Sequence, residues 1–122
     1  MAKPQLYDRI GQGYAQARRP DPHIAKQVRD ALGDVDSVLN VGAGTGNYEP
    51  TDVALTAVEP NSVMIEQRTS SAPVVQAFAE TLPFADNSFD AALAMFTIHH
   101  WPHRDAGICE LGRVSRRQVA LV

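Results

Sequence analysis

Apolar residues recur along this chain with two alternating periods. Ile24, Val28, Ala31 and Leu32 fall at helical spacing behind Asp21-Pro22, and Gly33 ends the run. Asp is a good helix cap and Pro suits the first helical position, so a helix is expected there. Ser-Val-Leu-Asn-Val at 37–41 reads as a short strand that runs into a glycine-rich loop. Residues 53–59 form a second strand candidate, closed by Pro60-Asn61. Residues 62–68 predict a helix that offers Val63, Met64 and Ile65 to a core, and residues 73–78 a third strand. Residues 80–88, with Pro83, Asp86 and Asn87, read as a loop. Residues 89–97 are almost wholly apolar, the pattern of a central strand buried on both faces. Residues 103–114 are helical in spacing, with Ile108, Leu111 and Val114 on one side, and 118–122 begin another strand.

Strands that alternate with helices, and strands that are unbroken in apolar character, predict an α/β domain built on a doubly wound parallel sheet. Such sheets bind ligands beyond the carboxyl ends of their strands. The glycine loop, Glu59, the Phe78 region and the run His99-His100-Trp101 each follow a predicted strand, so they should share one edge of the sheet. Residues 1–20 are polar, with Gly11, Gly13 and two prolines, and read as an N-terminal arm or lid ahead of a domain over 21–122.

Composition narrows the classes. The 122 residues suit one domain, and 44% hydrophobic with 20% charged residues is ordinary for a globular chain. Net charge is −3, and Arg18-Arg19 and Arg116-Arg117 are the only basic doublets. A nucleic-acid surface needs clustered positive charge, so none is expected. Cys109 is the single cysteine, which rules out an intrachain disulfide and is compatible with a reducing compartment. No apolar run reaches the roughly 20 residues of a membrane span, and residues 1–12 lack the apolar stretch of a secretory signal. The expected location is the cytoplasm.

The candidate chemistry starts at Val41-Gly42-Ala43-Gly44-Thr45-Gly46. Glycines admit backbone conformations closed to other residues and clear side chains from a ligand's path. Asn47 stands where a dinucleotide fingerprint wants its third glycine. Only residues 47–51, with Pro50 among them, separate the loop from the next strand region. A full helix aimed at a pyrophosphate hardly fits there, which disfavours a nicotinamide dinucleotide. The lesser alternative for the loop alone is a tight strand-exit turn with no ligand. Glu59 ends the second strand and offers two oxygens to a vicinal diol, or is merely a polar strand end. Met64 could lie along a flat base or belong to the core. His99, His100 and His103 lack the Cys or acidic partners of a zinc site, so no metal is expected. His99 and His100 could serve as a general base, or simply end the strand and pack on Trp101.

Three runs then carry a resemblance. Residues 38–50 (Val-Leu-Asn-Val-Gly-Ala-Gly-Thr-Gly-Asn-Tyr-Glu-Pro) resemble the first motif of class I S-adenosylmethionine-dependent methyltransferases. Residues 58–64 (Val-Glu-Pro-Asn-Ser-Val-Met) resemble their second. Residues 79–90 (Ala-Glu-Thr-Leu-Pro-Phe-Ala-Asp-Asn-Ser-Phe-Asp) are similar to the segment before the fourth strand in a small-molecule subgroup. That subgroup includes ubiquinone/menaquinone-biosynthesis and trans-aconitate methyltransferases. Tyr7-Asp8, Tyr14 and Arg18-Arg19-Pro20 resemble an arm that closes over the cofactor.

The resemblance implies a Rossmann-like fold, S-adenosyl-L-methionine as cofactor and a small-molecule methyl acceptor. Gly42, Gly44 and Gly46, with Asn40 and Ala43 beside them, would lie near the cofactor's methionine and ribose. Glu59 would hold the ribose diol, and Pro60, Asn61 and Met64 would border the adenosine. Ala79 and Glu80 would lie at the adenine edge. Thr97 would face the methyl-bearing end and the acceptor, with His99 and His100 as the catalytic candidates. Departures are Asn40 where the family has an acid, Phe78 where many members have Asp, and the short segment after the glycine loop. The family also continues past the fifth strand. The expectation is therefore an incomplete sheet of about five strands, truncated in the fifth, whose exposed edge invites self-association. An inactive fragment that keeps the cofactor-binding fold is the main alternative, and a nicotinamide-binding protein the second.

Overall fold

The computed structural model describes residues 21–121; the expected arm over 1–20 and Val122 lie outside them. The elements are α1 (Pro22–Leu32), β1 (Ser37–Val41), β2 (Ala54–Val58), α2 (Ser62–Glu66), β3 (Val74–Val75), β4 (Phe89–Met95), a 3-10 turn (Ile98–His100), α3 (Arg104–Val114) and β5 (Ser115–Leu121). The strands form one sheet in the order β3-β2-β1-β4-β5, and every pairing is parallel.

The two faces of this sheet follow from side chains alternating along each strand. Leu39, Val41, Val58, Ala92 and Ala94 pack with Trp101, Leu111 and Val114 on the α3 side. Val38, Leu55, Ala57, Ala91 and Leu93 pack with Val28 and Leu32 of α1 on the other. Both faces of β1 and β4 are thus covered, which explains why their central residues are mostly apolar, with Asn40 the buried polar exception. Asp21 caps α1 by accepting from the His23 amide at 2.8 Å. The chain leaves β1 toward β2 and β3, then returns to the other side of β1 to form β4 and β5. The order therefore reverses between β1 and β4, and the crevice for a ligand lies at their carboxyl ends.

Several expectations are corrected. The third strand is only Val74–Val75, not 73–78, because it is an edge strand that the sheet engages only opposite Ala57 and Val58. Past it, the Glu59 amide donates to the Val75 carbonyl, and the Gln76 side chain turns back to the Pro60 carbonyl. The helix expected over 62–68 is the shorter α2, capped by Asn61. β4 ends at Met95, two residues early, because Phe96 takes a positive φ of 55°. Ile108, expected on one side of the helix with Leu111 and Val114, is 50% exposed while those two are buried. Trp101 packs on Gly107, so the buried stripe of α3 runs through Gly107, Leu111 and Val114 instead. Ala31 of α1 is likewise exposed. β5 starts at Ser115, directly after the helix, rather than at 118. Ser115 donates to the Leu111 carbonyl, which closes the last turn of α3. Arg116, Arg117 and Gln118 hid the strand start because they are exposed on an edge strand.

Candidate functional site

The glycine loop leaves β1 beside the end of β4. The Ala43 amide donates to the Val58 carbonyl at 2.9 Å, which ties the loop to β2. At Gly42 φ is +69°, and a Cβ there would sit 2.2 Å from Thr97 Oγ1. Glycine is needed at 42 because β4's end presses against the loop. At Gly44 φ is +55°, yet among the described residues a Cβ would meet nothing within 4 Å. The empty flank of this loop is therefore at Gly44. At Gly46 a Cβ would sit 2.9 Å from Glu49 Oε1, so this glycine makes room for a neighbouring side chain.

A cleft of about 300 Å³ opens at this point. Of the expected cofactor residues, Asn40, Gly42, Ala43, Gly44, Gly46, Met64 and Thr97 line it. Both catalytic candidates, His99 and His100, line it too; they are exposed, with ring centroids 3.9 Å apart. Their rings meet at a tilt of 42°, while Trp101 is buried, its indole N–H donating to Thr97 Oγ1 at 3.3 Å.

The remaining expected residues stand outside the lining. Glu59 is buried beside the cleft, where Oε1 accepts from the Gly44 amide at 2.7 Å and Oε2 from the Asn61 amide at 2.9 Å. Burial pushes its carboxyl above the ordinary value; those two amides and the Arg68 charge offset this only in part. Asn61 caps α2 by accepting from the Met64 amide at 3.0 Å, and Pro60 accepts from Gln76. Ala79 belongs to the core on the α3 side. Glu80 Oε2 accepts from the His103 amide at the start of α3. Phe78 is 63% exposed.

Four residues of the site had no role assigned to them from the sequence. Glu49 bonds Asn40 Nδ2 at 2.8 Å through Oε2 and Arg68 Nη2 at 2.7 Å through Oε1. This ion pair is almost fully buried, at 3% and 5% side-chain exposure. The available signal was an acid placed shortly after a strand-end Asn. Tyr48 and Phe96 form an aromatic wall of the cleft, with ring centroids 6.2 Å apart. Tyr48 also accepts from the Asp21 amide at 2.9 Å, which ties the loop to the start of α1. Nothing in the sequence marks Phe96, since its positive φ is one a bulky residue rarely adopts. Among the described residues no group of three or more His, Cys, Asp or Glu side chains could hold a metal ion.

The observed arrangement is a glycine loop between two central strands, an acid ending the next strand and a cleft above them. A family model described as "Methyltransferase domain" matches residues 39–122. The chain belongs to this family. The methyltransferase domain is 44% identical over 90 residues to the protein YafE of Escherichia coli K12, an alignment covering 74% of this chain and 41% of YafE. It is 29% identical over 103 residues to the ubiquinone/menaquinone biosynthesis C-methyltransferase UbiE of Cupriavidus pinatubonensis, covering 84% of this chain and 42% of that enzyme. A solved SAM-dependent methyltransferase from Thermotoga maritima superposes with a TM-score of 0.81 at 26% identity, over 95% of this chain and 59% of its own. The chain thus spans about two fifths of the length of these two curated relatives.

Proposed function

We propose that this domain binds S-adenosylmethionine in the cleft and serves methyl transfer to a small-molecule acceptor. The observation that carries this reading is Gly44, where positive φ is combined with open space on the cleft side of the loop. The donor set fits such a ligand. Asn40 Oδ1, in a residue of the cleft wall, is buried and unpaired among the described residues, ready for a cationic N–H. Glu59 is anchored by backbone amides, and each of its oxygens keeps a lone pair for a ribose hydroxyl. Residues 42–53 carry no helix, so no helix dipole addresses a phosphate, in keeping with a phosphate-free cofactor.

When bound, the cofactor supplies a methyl group already activated by its sulfonium leaving group. The chain's own task is then alignment, which suits catalysis by proximity rather than a catalytic triad. Met64 offers the adenosine an apolar surface. Thr97 and the strained Phe96 fix the floor at the end of β4, and Tyr48 with Phe96 gives a flat acceptor ring a face to lie on. His99 and His100 stand at the same cleft, where a neutral imidazole can take the proton that the acceptor loses. The relatives named as ubiquinone/menaquinone C-methyltransferases suggest an electron-rich ring as the acceptor. The same reading puts the protein in the cytoplasm; among the described residues no helix is long and apolar enough to cross a membrane.

The test is incubation with methyl-labelled S-adenosylmethionine and a panel of hydroxylated ring acceptors. Label transfer that falls in the His99→Ala and His100→Ala variants is expected. Cofactor binding without transfer to any acceptor would remove the catalytic half of the reading and favour a binding fragment.

A further inference from the structure

Asn40 ends up with one half of its amide committed and the other idle. It is 3% exposed, its Nδ2 donates to Glu49 Oε2 at 2.8 Å, and its Oδ1 has no hydrogen-bond partner among the described residues. A carboxylate only accepts, so Glu49 dictates which way the amide faces. The reversed amide would set two acceptors against each other. Glu49 is itself held by Arg68, whose Nη2 donates to Oε1 at 2.7 Å and whose Nη1 donates to the Gly44 carbonyl at 3.3 Å. Gly46 lets this pair pack against the loop. One chain of bonds therefore runs from the end of β1, through Glu49 and Arg68, to the carbonyl of the glycine with the open flank.

Buried acceptors are rarely left without a donor, and here the idle one belongs to a residue of the cleft wall. We infer that Glu49 and Arg68 are positioning residues. They hold the Asn40 carbonyl oxygen as the acceptor for the α-ammonium group of the cofactor's amino-acid end. This rests on the cofactor reading above and adds to it the residues that orient one end of the ligand. Arg68 neutralises Glu49, so the wall offers a dipole with its negative end toward the cation rather than a bare buried charge. Nothing in the contact is supplied by the adenosine, so loss of the contact must be selective.

The experiment compares calorimetric affinities for two probes, S-adenosylhomocysteine and 5′-methylthioadenosine. The second keeps the adenosine and thioether but lacks the amino acid. Asn40→Leu should weaken S-adenosylhomocysteine about tenfold to a hundredfold, as for one charge-assisted hydrogen bond, and leave methylthioadenosine within about twofold. Glu49→Leu/Arg68→Leu, which removes the pair without stranding either charge, should reproduce that selective loss. Adding Asn40→Leu to this pair should cost little more. Arg68→Lys, which keeps the charge, should retain most of the affinity. Methylthioadenosine binding also reports that each variant is folded. Equal loss of both probes would show a merely structural pair and overturn the inference, as would unchanged S-adenosylhomocysteine binding in Asn40→Leu. Wild-type chain that binds methylthioadenosine no more weakly than S-adenosylhomocysteine would overturn it while sparing the cofactor site. Failure to bind either probe would instead defeat the cofactor reading itself.

Discussion

Alanine at Gly44 and alanine at Gly42 should do different things, although both glycines have positive φ and stand two residues apart. At Gly44 the added methyl meets no atom of the described residues within 4 Å, its chain neighbours apart. Its cost to the fold is the backbone term alone, about 1–2 kcal/mol for an L-residue in the left-handed region. At Gly42 the same backbone term applies, and the methyl also sits 2.2 Å from Thr97 Oγ1 and 2.7 Å from its Cγ2. Overfilling a packed contact adds about 1–3 kcal/mol, for a total of roughly 2–5 kcal/mol. Small domains are stable by only about 5–15 kcal/mol, so Gly42→Ala should be close to unfolding while Gly44→Ala folds. Binding should reverse the order of interest. If the ligand occupies the space at Gly44, its methyl overfills that contact and weakens S-adenosylhomocysteine about tenfold to a hundredfold in a folded protein. Urea denaturation gives the stabilities and isothermal calorimetry the affinities. The reasoning fails if Gly44→Ala is as destabilised as Gly42→Ala, or if it binds as tightly as the wild type.

Other outcomes follow from single contacts. Gly107→Ala should lose about 1–2 kcal/mol, because a Cβ 2.3 Å from Trp101 outweighs the helix-propensity gain. Gly112→Ala, on the same helix with nothing within 4 Å, should gain about 1 kcal/mol, and thermal melts of the pair check both signs. Because burial raises the Glu59 pKa above 4.5, its ionisation opposes folding, a penalty absent at low pH and incurred as pH rises through the raised value. A ligand that uses the carboxylate prefers its ionised form, so affinity should fall as pH drops through a midpoint above 4.5; a midpoint at or below 4.5 contradicts this. Arg113 donates to the Leu82 and Phe84 carbonyls and to Asp86, tying that loop to α3. Arg113→Met should therefore speed amide hydrogen exchange over 82–87 while leaving β1 and β4 protected.

The sequence displayed the sheet's interior better than its margins. β1 and β4 were legible because burial on both faces favours runs of apolar residues, and Val38, Leu39 and Val41 around the buried Asn40, with Ala91 to Ala94, supply them. Among the described residues β3 and β5 stand at the two ends of the sheet order, and the start of β5 is polar and exposed. The run Ser115-Arg116-Arg117-Gln118 therefore carried no strand signal. Gly42 and Gly44 announced a close approach but not its object. Thr97 is what the first accommodates, and open space is what the second leaves. Glu49 and Arg68 were hidden because their bond spans 19 positions of sequence, and a buried ion pair has no local signature. The exposure of Ile108 was equally non-local, since it depends on Trp101 choosing Gly107 as its seat.

The central claim is that the cleft at the ends of β1 and β4 is a cofactor site for S-adenosylmethionine. Calorimetric titration of the unmodified chain with S-adenosylmethionine and S-adenosylhomocysteine tests it most directly, with a nicotinamide dinucleotide as the contrasting ligand. Saturable one-to-one binding of the first two, and none of the third, is the predicted result. No heat from either adenosyl compound up to millimolar concentration would contradict the account.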